Sequence, residues 1–213
     1  MDIKNYETKL LFEDGRLTGD GALQLLKPYF PKITGCINTG LDAFRSLDQT
    51  NPELCLCLVP RTRACIIHDH MEDYARKIFC GMEPDVMLGS EVGFLIVDFK
   101  GKIKMRFKKL SCDLRPYNVK TNQQQAYDDQ TLFAPPATLV TAGYRLDSTG
   151  VFRDAQIVCW ARSELRWSLP LPCVQEEPLV FEDVSHEEGP PVPIIVAKKD
   201  SKVHKKRGTR SVS

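Results

Sequence analysis

The hydrophobic periodicity of the chain changes once, near residue 85, and this change constrains the fold more than any other feature. Before it, apolar residues recur at helical spacing; after it, they alternate with polar residues as in strands. Helices that come first and hairpins that come later are predicted to form separate layers, since a doubly wound sheet needs strands and helices in alternation. The sequence therefore predicts an α+β fold, with N-terminal helices packed on an antiparallel sheet of about five strands.

Three segments of the first eighty residues are predicted to be helical: residues 20–30, 39–47 and 62–80. The first ends near Pro31 and the second stops before Asn51-Pro52, because a proline ring interrupts helical hydrogen bonding. The third has a broad apolar face, and Gly81 follows it at the position where a left-handed C-cap is expected. This last segment is predicted to be the longest helix.

The strand pattern covers five segments, at residues 93–99, 102–110, 139–147, 151–160 and 165–169. Lys100-Gly101 is typical of a tight two-residue turn joining the first two strands. Residues 121–130, between the two hairpins, are rich in glutamine and predict a short helix. These elements complete a single predicted domain over residues 1–171.

Residues 172–213 differ in composition and predict a disordered C-terminal tail, acidic first and then basic. Residues 173–189 carry six acids and no bases, whereas residues 198–210 carry seven bases and one acid. Segregated charge of this kind cannot bury an apolar core. One apolar segment, residues 192–197, is predicted to dock on the domain or on a partner.

The sequence predicts a cytoplasmic protein without a membrane span. No stretch approaches the about 18 consecutive apolar residues that a span needs, and the N-terminus lacks the apolar region of a secretory signal. The eight cysteines include no CxxC pair and no zinc-site spacing. We interpret them as free thiols in a reducing compartment, several of them buried in apolar runs, as at Cys65, Cys80 and Cys159.

The strongest functional signal is a row of cations on one predicted strand. Lys102, Lys104, Arg106 and Lys108 occupy every second position, so their side chains share a face, while the apolar residues between them point into the core. Such a row would bind nucleic acid or another phosphate-bearing ligand in a salt-dependent way; a solvated sheet face is the alternative. The predicted contacts are Arg61, Arg63, Lys102, Lys104, Arg106, Lys108, Lys109 and Arg145.

A second set of residues resembles the PD-(D/E)xK signature of RecB-like nucleases. Pro84-Asp85 precedes Asp98 and Lys100, Gln123–Tyr127 matches a QxxxY element, and His68 lies upstream on a helix. The resemblance implies catalytic roles for His68, Asp85, Asp98 and Lys100, with Asp85 and Asp98 holding Mg²⁺. His68 and His70 cannot share a helical face, but His68 and Glu72 can.

Several short segments together resemble an uncharacterised group of bacterial and phage proteins: Arg61-Thr-Arg-Ala, Ile67-His-Asp-His-Met, Arg106-Phe-Lys-Lys-Leu, Thr121-Asn-Gln-Gln-Gln and Gly143-Tyr-Arg-Leu-Asp. The resemblance covers about residues 10–170, and such proteins are often encoded beside helix-turn-helix or ImmA/IrrE-type regulators. It implies a toxin-like or phage-defence effector with a cognate antitoxin or regulator as partner. The chain lacks the HExxH motif of the peptidase itself.

Three functions therefore stay open from the sequence. The first is a toxin-like or phage-defence effector that binds nucleic acid or a phosphate-bearing ligand through the basic strand. The second is a Mg²⁺-dependent nuclease. The third is a non-enzymatic module that binds partner proteins. No cofactor other than the nuclease's Mg²⁺ is indicated.

Overall fold

The computed structural model describes residues 11–91, 93–117, 121–133 and 137–172. Its helices are α1 (Gly19–Leu26), α2 (Phe30–Thr50), α3 (Pro52–Cys57), α4 (Pro60–Phe79) and α5 (Asn122–Asp128), with a short 3₁₀ turn (Lys27–Tyr29) between α1 and α2. Its strands are β1 (Val86–Glu91), β2 (Phe94–Phe99), β3 (Ile103–Lys109), β4 (Thr138–Leu146), β5 (Phe152–Ala161) and β6 (Glu164–Pro170). The predicted α+β class is confirmed. The predicted tail from residue 173 onward lies outside the described residues.

The six strands form one sheet in sequence order, which differs from the prediction in two respects. β1 was not predicted, because Gly89 and Ser90 interrupt a strand pattern that is only six residues long. In addition, β3 and β4 are parallel, whereas every other neighbouring pair is antiparallel. Parallel neighbours need a long crossover connection, and the segment that carries α5 provides it.

Pro31 begins α2 rather than ending the first helix. It stands in the first turn of α2, where its missing amide hydrogen would have no intrahelical partner in any case. The predicted helices 20–30 and 39–47 are therefore α1 and the second half of α2. The prediction for 62–80 is confirmed by α4, and Gly81 adopts the expected positive φ of 74° after it.

The main core lies between the helices and one face of the sheet. α2 and α4 pack so closely that a Cβ on Gly40 would lie 2.5 Å from the carbonyl oxygen of Ile67. From the sheet, Ile103, Met105 and Phe107 enter this core, which confirms the predicted alternation along β3. None of the described helices is long and apolar enough to cross a membrane.

A smaller apolar cluster lies on the opposite face of the sheet, under α5. Ile96, Tyr127 and Leu139 form its buried centre, and Leu132 and Phe133 pack against it. Tyr127 is anchored by its hydroxyl, which donates to the carbonyl oxygens of Lys104 at 3.0 Å and Val140 at 2.6 Å. This segment therefore covers the middle of β3, on the side that carries the row of cations.

Gln130 fixes the end of the α5 segment by inserting its side chain between β4 and β5. Its amide nitrogen donates to the carbonyl oxygens of Leu139 at 2.7 Å and Trp160 at 2.8 Å, and its amide oxygen accepts from the backbone N–H of Leu139 at 2.7 Å. The described β4–β5 pairing begins two residues further on, at Thr141 and Val158. The side chain thus takes the place of the next backbone hydrogen bonds between β4 and β5.

Seven cysteines fall within the described residues, and all are free thiols. Cys159 is buried as predicted, and burial raises its thiol pKa to about 12. Cys65 and Cys80, also predicted to be buried, are exposed, because they lie outside the face of α4 that contacts the core.

Candidate functional site

The carboxylates of the predicted nuclease site neutralise two different lysines. Lys100 Nζ lies 3.5 Å from Asp85 Oδ1. Asp98 accepts from the backbone N–H of Gly101 at 2.8 Å and from Lys104 Nζ at 3.0 Å. Asp98 therefore caps the turn after β2.

The predicted turn at Lys100-Gly101 is confirmed, since both residues have positive φ, 54° and 66°. Lys100 consequently leaves the line of the strand on which Asp98 lies. Within the described ranges, no group of three or more His, Cys, Asp or Glu side chains is placed to hold a metal ion. The Mg²⁺ site at Asp85 and Asp98 stays a prediction.

The row of cations on β3 shares a face but is not uniformly solvated. Lys102 is exposed before the strand begins, and Lys104 is paired with Asp98 and lies 4.6 Å from the ring centroid of Phe133. Arg106, in contrast, is only 2% exposed. The α5 segment covers the middle of the row, so the strand offers no continuous basic surface.

Arg106 is buried with incomplete partners. Its guanidinium carbon lies 3.7 Å from the ring centroid of Tyr127, a stacked cation–π contact. Its Nη2 lies 3.5 Å from Asp128 Oδ1, an oxygen that already accepts from Gln124 at 2.7 Å. Its Nε is buried and has no hydrogen-bond partner. Burial lowers the pKa of Arg106, and Tyr127 and Asp128 oppose this shift.

Lys108 stands beside Arg106, over the same aromatic ring. Lys108 Nζ lies 5.2 Å and the guanidinium carbon of Arg106 lies 5.9 Å from the ring centroid of Phe94. No described carboxylate lies within 4 Å of Lys108 Nζ. Burial, and then the charge of Arg106, lower the pKa of Lys108, while Glu72 opposes them.

This pair of cations lies where β3 has left its antiparallel neighbour. The described β2–β3 pairing runs only from Phe99–Ile103 to Val97–Met105. Beyond it, β3 continues to pair with β4 as far as Lys109. Arg106 and Lys108 therefore lie in the part of β3 that does not pair with β2. The ring of Phe94, at the start of β2, lies close to both side chains.

α4 carries ionisable groups whose charges act on Lys108. His68 Nε2 lies 3.4 Å from Glu72 Oε1, and Glu72 is shared with Arg76 at 3.6 Å. Burial lowers the pKa of His68, the charge of Lys108 lowers it further, and Glu72 and Asp69 oppose the shift. The charge of Lys108 therefore acts on His68, a residue that the sequence indicated separately.

The other predicted contacts have structural partners or lie apart. Arg63 donates to the carbonyl oxygens of Cys55 at 3.0 Å and Leu58 at 3.1 Å, at the end of α3. Arg145 is paired with Asp154 and donates to the carbonyl oxygen of Cys112 at 3.0 Å. The two that remain are Arg61, exposed in the first turn of α4, and Lys109, whose Nζ lies 5.4 Å from the Tyr117 ring.

The two-cation site is defined by Arg106, Lys108 and Phe94, with His68 and Glu72 beside them. Sequence reasoning missed Phe94 and Asp128, because their contacts depend on where β2 and α5 pack. The spacing of His68 and Glu72 was the signal that these two side chains of α4 interact. No family model, no curated protein and no solved structure matches the chain.

Proposed function

We propose that this protein binds a phosphate-bearing ligand, nucleic acid included, through the two-cation site on β3. In this proposal the protein is a toxin-like or phage-defence effector, as the resemblance to proteins encoded beside regulators implies. Arg106 and Lys108 supply the charge, and His68 lies at the rim. The exposed and paired cations elsewhere on the strand contribute long-range attraction only.

The observation that carries the proposal is the buried, unpartnered Nε of Arg106. A buried donor without a partner costs about 1–3 kcal/mol, and more when the group is charged. Proteins satisfy the great majority of such groups, and each exception calls for an explanation, of which a bound ion is one. A ligand oxygen bound at this Nε would remove the cost and use a donor already aimed and immobilised by the Tyr127 stack.

The local charge supports an anion rather than a neutral ligand. Asp128 is the only described carboxylate within 4 Å of Arg106, and its contact is long at 3.5 Å. Lys108 adds a second cation, and burial first and then the charge of Arg106 lower its pKa. Two like charges held together away from water favour binding of a counter-charge.

The experiment compares Lys108→Gln with Lys102→Gln, which removes the same charge from an exposed position just before β3. Binding of a fluorescently labelled RNA or DNA oligonucleotide is followed by anisotropy over a salt series. Lys108→Gln is expected to weaken binding and to lower the salt slope by about one, as for one lost phosphate contact. Lys102→Gln is expected to leave both nearly unchanged. Equal effects of the two variants would contradict the proposal.

The effector role is tested in growing bacteria. Expression of the wild-type chain is expected to slow growth, and Lys108→Gln is expected to relieve the effect at an equal protein level. Coexpression of the neighbouring regulator gene should restore growth with the wild-type chain. Inhibition that persists in Lys108→Gln would separate toxicity from the two-cation site and refute this role for it.

A further inference from the structure

We infer that the two-cation site takes a terminal phosphate group, that is, a phosphate monoester, rather than an internal phosphodiester of a nucleic-acid backbone. This inference rests on the proposed function and names the chemical class of its ligand. It follows from where the two cations lie, how deeply they are buried and how few anions surround them.

Burial decides which kind of phosphate can reach Arg106. The residue is 2% exposed, under Tyr127 of α5 and beside Phe94 of β2. An internal phosphodiester carries a sugar on each side, so both flanking groups would have to enter with it. A terminal phosphate is attached through one oxygen and can project into the site from a ligand that stays outside.

The charge of the two cations also favours a monoester. A phosphate monoester offers three strong acceptor oxygens and a charge of about −1.5 to −2 at pH 7. The site offers the orphan Nε–H of Arg106 and the ammonium of Lys108, two cationic groups on neighbouring side chains of one strand face. A phosphodiester has only two free oxygens and one charge, so it would leave part of this positive charge uncompensated.

The neighbouring carboxylates do not cancel this preference. Asp128 accepts a short hydrogen bond from Gln124, and Glu72 is shared by His68 and Arg76. Each carboxylate is therefore engaged with a group other than Lys108. The side chains of His68 and Glu72 are 22% and 20% exposed, so both are in contact with solvent.

The experiment uses the full chain and one RNA sequence in four forms: with a 5′-phosphate, with a 3′-phosphate, with hydroxyls at both ends, and as a circle without ends. Adenosine monophosphate and inorganic phosphate serve as competitors. We expect a terminally phosphorylated form to bind at least about tenfold more tightly than the hydroxyl and circular forms, as one lost charge-assisted contact of about 1.5 kcal/mol implies. This preference should disappear in Lys108→Gln and persist in Lys102→Gln, with both variants shown to melt cooperatively.

The outcomes separate the two proposals. Equal binding of all four RNA forms, lost in Lys108→Gln, would leave the proposed function standing and overturn the terminal-phosphate inference. No binding of any RNA, nucleotide or inorganic phosphate would overturn both. A terminal preference that survives in Lys108→Gln would place the phosphate elsewhere and also overturn both. If adenosine monophosphate competes with the same affinity as the phosphorylated RNA, a free nucleotide is a sufficient ligand. If it competes much more weakly, the ligand is the phosphorylated end of a nucleic acid. Either result supports the inference.

Discussion

Replacement of Gln130 by alanine should lower the free energy of unfolding more than the same replacement of any glutamine in α5. The Gln130 side chain makes three hydrogen bonds to backbone groups in the gap between β4 and β5, two as donor and one as acceptor. Its removal leaves the backbone N–H and carbonyl of Leu139 and the carbonyl of Trp160 without these partners. At about 1–1.5 kcal/mol for each lost bond, the free energy of unfolding should fall by roughly 3–5 kcal/mol. This is a large part of the about 5–15 kcal/mol that a domain possesses.

The assay is equilibrium unfolding in urea, with Gln125→Ala as the matched control. Gln125 is exposed on α5, so the same substitution there is expected to change stability by less than about 0.5 kcal/mol. Hydrogen exchange gives a second, local readout, because the amide of Leu139 should lose its protection in Gln130→Ala. A loss below about 1 kcal/mol, with the Leu139 amide still protected, would refute the role assigned to the inserted side chain.

Three further predictions test the packing, the titration and the domain boundary. Gly143→Ala should destabilise the domain by about 3 kcal/mol in urea unfolding, because its Cβ would lie 2.1 Å from the carbonyl oxygen of Lys108 in β3. Gly89→Ala is the control and should be tolerated, because the space around Gly89 is open. Burial and the charge of Lys108 lower the pKa of His68 in the folded chain, so the unfolded chain binds the proton more readily than the folded chain does. The free energy of unfolding should therefore fall as the pH drops below 6.5. His68→Gln should reduce this loss in pH-dependent melts and His70→Gln, at an exposed position, should not; an unchanged pH profile in His68→Gln would contradict the assignment. Deletion of residues 173–213 should leave a cooperative thermal transition, because that segment is rich in proline and segregated charge, and a non-cooperative melt would contradict this domain boundary.

Local patterns predicted the elements well where the pattern was long and regular. α4 and the alternation along β3 follow from the spacing of apolar residues alone, and the turn at Lys100-Gly101 follows from its residue types. Pro31 was misjudged because proline interrupts a helix and also begins one, and only the position of the first turn distinguishes the two effects. The parallel pairing of β3 and β4 depends on the path of a long connection, which periodicity does not encode.

The candidate site shows the same division between local and long-range information. The sequence predicted that Lys104, Arg106 and Lys108 share a face, and they do. It could not predict that α5 covers the centre of that face, because the covering residues lie some twenty positions away and carry no pairing signal. Burial changes the chemistry of the row: Arg106 becomes an immobilised, partly unsatisfied cation, whereas Lys104 is neutralised by Asp98.

The central claim is that a phosphate-bearing ligand supplies the missing partner of Arg106. The most direct measurement is an NMR titration of the arginine side-chain Nε–H groups with the terminally phosphorylated RNA that binds most tightly, since it observes the unpartnered group itself. We predict a saturable downfield shift of the Arg106 Nε–H, while that of Arg63, already bonded to the carbonyl oxygen of Leu58 at 3.1 Å, stays in place. An unmoved Arg106 signal up to millimolar ligand, or equal shifts at both arginines, would contradict the account.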